Sequence, residues 1–312
     1  MRVLFVSSGN NKEGISPIVK RQGESLIKEG IELQYFTIKG KGIRGYLSNF
    51  SGLKRLITQF QPNIIHSHYS SSAILATITK AKPMVVSLMG SDVKEKKWYK
   101  IVLWFFYKFF WSAIIVKSQD LKSTLGFKHL QVIPNGVNTK FFYSISKLEA
   151  QNKLNWDKSK THILFAANPK RPEKNYLLAS AAFKILNDTN IIIQTLTDVP
   201  SDEIQYLMNA SDIILLTSLY EGSPNVIKEA MACNIPIVST DVGDIKWVIG
   251  ETEGCYLTSF DAKDVSEKIE LAIKFSKEKG KTNGRERILA LGLDSETIAK
   301  RIVEAYHGVL IK

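Results

Sequence analysis

The chain has 312 residues, 44% hydrophobic and 23% charged, with 42 Lys and Arg against 30 Asp and Glu and a net charge of +12. Such values are those of an ordinary soluble globular protein, and the length favours two domains over one compact core. Two cysteines, Cys233 and Cys255, fit no metal or redox spacing and suit a reducing compartment. The N-terminus, MRVLFVSSGN, reads as a strand rather than a signal peptide, so a cytoplasmic location is expected.

Charge is unevenly divided. Residues 1–148 hold 22 Lys and Arg against 7 Asp and Glu, +15, whereas residues 149–312 hold 20 against 23, −3. A basic first half implies an anionic partner: nucleic acid, acidic lipid or a phosphorylated substrate.

In the first half, short apolar runs at 2–7, 31–38, 63–68, 83–89, 113–118 and 130–134 read as strands, separated by segments of helical period such as SPIVKRQGESLIKEG (16–30). Repeated strand–helix–strand predicts a parallel sheet covered by helices. The loop SSGNNKEGISPIVK after the first strand has Gly9 and Gly14 but no dinucleotide fingerprint, and a plain strand-to-helix turn accounts for both glycines. In PNIIHSHYSSSA, His66 and His68 lie two apart at a strand end, on one face, with His68 at the edge. In VVSLMGSDV, Met89 follows a strand and Asp92 is placed to cap a helix. Between Trp98 and Trp111 come nine aromatic residues, and Lys94, Lys96, Lys97, Lys100 and Lys108 accompany them. A helix over 94–111 with rings on every side is either buried in a large domain or interfacial, its lysines on anionic phosphates; it is short of the ~20 residues a spanning helix needs.

The pattern lapses over the turn-rich 133–153 and resumes with strands at 161–167, 190–196, 212–218 and 235–240. A second α/β domain is therefore expected, with the join near 134–148. Chemistry in parallel sheets sits beyond the carboxyl ends of strands. One such place is FAANPKRPEKNYLLA, where Lys170, Arg171 and Lys174 crowd a turn. Alone it reads as solvated surface or as a neutraliser of phosphate charge. Another is YEGSPNVIKEAMACNIPIVSTDVGD (220–244), with Glu221 before and Glu229 inside an expected helix. Ser223 reads as its N-cap, Pro224 as its first residue, and Gly222 allows close backbone approach. A helix start offers free amides and partial positive charge to a phosphate, and flanking carboxylates suit sugar hydroxyls; two solvated glutamates are the plain alternative.

The stretch EGSPNVIKEAMACNIPIVSTDVGD resembles the glutamate–seven residues–glutamate motif of retaining family 4 glycosyltransferases, with Asn234 and Asp244 where glycines are common. The likeness extends through IPNGVN (133–138) and into the first half, where PNIIHSHY and VVSLMGSDV are similar to the family's corresponding loops. It implies a GT-B fold: two Rossmann-like parallel-sheet domains facing a central cleft, with an acceptor domain over 1–147, a nucleotide-sugar domain over 148–293 and a last helix over 294–312 packing back on the first domain. It implies that Glu229 holds the ribose, that Glu221 approaches the transferred sugar, and that amides around Gly222, Ser223, Pro224, Asn225 and Val226 line the sugar and diphosphate, Pro224 without an N–H. Lys174 would hold phosphate, and Arg171 would stand in for a family arginine at the place of Asn168. Gly14 would touch the diphosphate. Met89 stands where many members have a histidine near the sugar, and His68 and Asp92 join it as acceptor or cleft candidates.

The expected activity is hexosyl transfer from a nucleotide-diphosphate sugar to a glycan or lipid-linked acceptor, with retention, in surface polysaccharide or glycolipid synthesis. Neither cofactor nor metal is expected, since no suitable Asp-x-Asp loop is present. The partners expected are the donor, the acceptor and an anionic membrane surface at the inner face through 94–111, and no nucleic acid. A nucleotide-sugar epimerase of the same fold and a nucleic-acid-binding α/β protein are the alternatives.

Overall fold

The structure is a computed structural model that describes residues 1–11, 14–90 and 98–311. Asp92 and the lysines Lys94, Lys96 and Lys97 lie outside them. Two compact units emerge, residues 1–136 with 295–312, and residues 137–294.

The first unit carries a parallel sheet of β1 (Arg2–Ser8), β2 (Glu32–Ile38), β3 (Ile64–His68), β4 (Met84–Leu88), β5 (Ala113–Val116) and β6 (Gln131–Val132), in the order β2-β1-β3-β4-β5-β6. Helices cover both faces of the inner strands, which is why β3, β4 and β5 are buried throughout, β3 with His66, Ser67 and His68 among its buried residues. Helix Pro17–Lys28 starts with proline at its first turn and lays Val19 and Leu26 inward. Gly23 in that helix is required by packing: a Cβ there would stand 2.0 Å from the Tyr35 hydroxyl. The last helix, Ser295–Leu310, buries Ile298, Ile302, Ala305, Tyr306 and Val309, a 3.6-residue stripe. Arg301 also ties it to the Val132 carbonyl at 2.8 Å.

The aromatic segment forms helix Tyr99–Phe109, and it divides its rings between two surroundings. Leu103 and Trp111 are buried, with Tyr99, Phe106 and Tyr107 packed on the core. Trp98, Ile101, Trp104, Phe105 and Phe109 are exposed. Full burial is thus excluded for this helix. One face is core and the opposite one is an apolar surface.

The second unit carries β7 (Thr161–Phe165), β8 (Ile191–Thr195), β9 (Ile213–Leu216), β10 (Ile237–Thr240) and β11 (Cys255–Thr258), all parallel, in the order β11-β10-β9-β7-β8. Residues 137–147 belong here because Arg285 donates to the Thr139 and Phe142 carbonyls at 2.8 and 2.9 Å, and Val137 N donates to Leu293 O.

Each sheet repeats one arrangement. The first strand lies between the second and third, so the chain leaves on one side and returns on the other. The crevice at such a reversal, beyond the strand carboxyl ends, is where ligands bind in open α/β sheets. In the first unit it lies beyond β1 and β3, and in the second beyond β7 and β9.

Candidate functional site

At the reversal of the second sheet, the turn after β7 and the loop after β9 are bonded together. Residues Pro172–Lys174 form one turn of 3-10 helix, closed by Asn175 in the left-handed region at φ 51°. The Thr217 hydroxyl donates to the carbonyls of Lys174 and Asn175, at 3.2 and 2.9 Å, and Leu219 N donates to Glu173 O at 2.9 Å. These backbone ties bring Lys174 against Glu221, 47 residues further on: Nζ to Oε1 is 2.5 Å, with the side chains only 12% and 14% exposed. Ser218 adds a second donor to the same oxygen at 2.8 Å. Arg171 is placed differently. Its guanidinium pairs with Glu173 at 2.5 Å, and its side chain is 58% exposed. Asn168 accepts the Lys170 amide and so shapes the turn.

The helix after this loop runs Asn225–Ala232 and is capped by Pro224, in extended backbone at φ −68° and ψ 120°. The expected serine cap is therefore corrected. Ser223 lies one residue outside, and its Oγ accepts from Lys228 Nζ at 2.9 Å instead of from a first-turn amide. The amides of Asn225 and Val226 fall in the first turn, where no intrahelical acceptor exists and the helix end is partly positive. Glu229, half-buried, follows one turn later. The loop after β10 closes beneath. Gly243, at φ 66°, approaches Gly222 so tightly that a Cβ would meet its carbonyl oxygen at 2.7 Å. Thr240 donates to Ser218 O at 2.8 Å. Glu221, Gly222, Ser223, Pro224, Asn225, Val226, Glu229 and Lys174 thus belong to one end of one sheet.

Two polar groups here gave no signal as sequence. Lys228 sits in the apolar run VIKEAMA and is 1% exposed; burial pushes its ammonium down to about 8, against the pull of Asp244 and Glu229. Asp244 is 8% exposed, and its carboxylate faces the Ser223 hydroxyl. Its carboxyl is raised by burial, with Lys228 opposing. The one hint was that Asp244 stands where the resembling family commonly has glycine.

At the reversal of the first sheet, Asn10 bridges the loops after β1 and β2, exchanging bonds of 2.9 Å with both backbone groups of Gly40. Gly14 bridges back to Asn11 with φ 79°, a left-handed turn with open space where a Cβ would be. His68 is 1% exposed and stacks on His66 with ring centroids 4.5 Å apart, and its Nε2 has no partner. Burial, then the Lys117 charge, drives His68 down to about 3. His66 is lowered well below the usual imidazole range by burial, with His68 and Lys117 adding. Its two nitrogens face the Tyr306 hydroxyl at 2.6 Å and Ser87 Oγ at 2.8 Å. Both rings are neutral and interior. Met89 is half-buried just after β4, and Asp92 lies outside the described residues.

Two family models match this chain: "Glycosyltransferase Family 4" over residues 17–141 and "Glycosyl transferases group 1" over residues 146–274. Among curated relatives, the teichuronic acid biosynthesis glycosyltransferase TuaC of Bacillus subtilis is 26% identical over 67% of this chain and 60% of its own length. The UDP-Gal:alpha-D-GlcNAc-diphosphoundecaprenol alpha-1,3-galactosyltransferase of Escherichia coli is 23% identical over 63% of this chain and 62% of its own. The chain thus spans about three fifths of these relatives. Among solved structures, sucrose-phosphate synthase from Thermosynechococcus elongatus superposes with a TM-score of 0.84 at 16% identity, covering 100% of this chain and 99% of that one.

Proposed function

This chain belongs to glycosyltransferase family 4 and has the GT-B fold, and from that membership we propose that it transfers a hexose, with retention, from a nucleotide-diphosphate sugar to a glycan or lipid-linked acceptor. The observation that carries the reading is the meeting of Lys174 and Glu221 at the sheet reversal, beside the mouth of helix Asn225–Ala232. A UDP-sugar donor and an acceptor on a lipid diphosphate follow the printed name of the Escherichia coli relative. Its glycosyltransferase relatives favour transfer over the epimerase alternative.

In this proposal the diphosphate lies over the amides of Asn225 and Val226, where helix-end charge and bare N–H groups converge. Lys174 faces its leaving oxygens, and Arg171 lends weaker charge from the rim. Glu221 takes the hydroxyls of the transferred sugar and Glu229 those of the ribose, each carboxylate accepting from two donors. Lys174 exchanges Glu221 for phosphate as the donor enters, which frees the glutamate for the sugar. The acceptor oxygen bonds to the anomeric carbon as the bond to diphosphate breaks, and the acceptor proton passes to a leaving-phosphate oxygen. This removes the need for an imidazole where Met89 stands. His68 acts from beneath the first rim rather than on a proton. Preorganised donors around a developing diphosphate supply the stabilisation a metal would otherwise give. We therefore expect turnover to survive chelation by EDTA.

No helix among the described residues is long and apolar enough to cross a membrane. The face of Trp98, Ile101, Trp104, Phe105 and Phe109, with Lys108 against the Trp104 and Phe109 rings, suits an anionic surface at headgroup depth. It would hold the protein on the cytoplasmic face of the membrane, where a lipid-linked acceptor resides.

The reading is tested by titrating the full chain with UDP, ADP and GDP and their sugars. A cognate ligand at ~100-fold over its dissociation constant stabilises by ~2.7 kcal/mol. No shift with any of them overturns it. For the surface, Trp104→Glu should abolish sedimentation with anionic vesicles; equal binding to neutral vesicles, or self-association through this face, overturns that part.

A further inference from the structure

Lys228 has an arrangement that helix stability does not explain. It is the fourth residue of helix Asn225–Ala232, and its ammonium folds back five positions to donate to Ser223 Oγ at 2.9 Å. A fully buried cation is thereby held at the positive end of a helix, where the dipole disfavours it. Asp244, buried beside it, offsets this in part. The neighbouring cations are each paired: Lys174 with Glu221 just under the surface, and Arg171 with Glu173 at it.

We propose that Lys228 is a second cation of the diphosphate site, acting beneath the helix mouth through Ser223. Because Lys228 donates to Ser223 Oγ, the serine's own proton points away from it, toward Asp244 in the free protein and toward a phosphate oxygen once the diphosphate enters. Asp244 keeps the ammonium in place, and Gly243 sets Asp244 by its close approach to Gly222. The inference rests on the donor reading above and assigns Lys228 a positioning role: it orients Ser223 and adds buried positive charge where a charged ligand gains most from it.

Calorimetric titration with UDP separates this from a merely structural ion pair. The groups facing Lys228 are Asp244, from the loop after β10, and Glu229, on its own helix. The second phosphate ionisation has its midpoint near about pH 6 and the uracil N3–H ionises only toward higher pH, so between about pH 7.5 and about pH 8.5 the ligand charge is nearly constant while an amine at about 8 loses most of its protons. We expect wild-type affinity for UDP to fall about threefold across that window, with Lys228→Met binding weakly and equally at both ends. Lys281, lowered to about 8 by burial in the same unit, is the control: Lys281→Met keeps the fall. Should Lys228→Met not fold, the double variant with Asp244→Gly removes both buried charges and gives the same readout. If either variant keeps wild-type affinity and its fall with pH, the inference is overturned while the donor reading stands. If the wild type binds no UDP, ADP or GDP at either pH, the donor reading falls and takes this with it.

Discussion

The rims beyond β1 and β3 in the first unit and beyond β7 and β9 in the second share one topology and differ in chemistry. In the first, the polar groups at the strand ends are interior and mostly spent on one another: His66 faces Tyr306 and Ser87, and Lys117 donates to Ser87 and the Ile133 carbonyl. In the second, a lysine and a glutamate meet just under the surface, above a helix mouth. Topology decides where a site can stand. Whether charged groups stay within reach of solvent decides what it can do there, because a buried imidazole stays neutral while a rim ion pair can trade its partner for a ligand.

The sharpest way to break this contrast is charge reversal at the second rim. Lys174→Glu should lower transfer by about 10³-fold or more, in line with the loss of a preorganised donor, and activity within about tenfold of wild type would erase the distinction. Next comes acid. The folded pKa values of His66 and His68 lie below the ordinary 6.5, so the unfolded chain takes up protons first and stability declines as pH drops below about 6.5. Urea melts should lose up to about 1.4 kcal/mol per pH unit for each ring, and a flat profile from pH 7 to 5 would show that neither is buried neutral. Tyr306→Phe should cost about 1–3 kcal/mol by stranding His66 Nδ1, with transfer per folded molecule unchanged. Altered donor affinity in that variant would move the first rim into the donor site. The smallest effect belongs to Arg171→Ala. Since Glu173 holds this exposed arginine, we expect donor binding to weaken by less than about tenfold, and a loss matching Lys174→Glu would place it at the phosphates.

Most strands were legible because buried parallel strands are continuous apolar runs, from RVLFVS to IPIVST. The edge strand Cys255–Thr258 was not, since four residues after a turn, three of them half-buried, carry little pattern. The start of the 225–232 helix was displaced for a local reason. Ser223 is a good cap by type, but a lysine five residues on claims its oxygen. The aromatic helix could be read two ways from its composition. The buried reading holds for one face and the other is exposed, since only packing distinguishes rings on the core from rings on the surface.

Local spacing by itself therefore determined the alternation of strand and helix, the division into two α/β halves, and the motif from Glu221 to Glu229. These depend on near neighbours along the chain, and such neighbours are what a sequence records. Tertiary structure alone decided that Lys174 meets Glu221, that His66 and His68 are interior, and that Lys228 and Asp244 share one buried corner. Those outcomes depend on which loops the strand order brings together and on how much water the resulting crevices exclude.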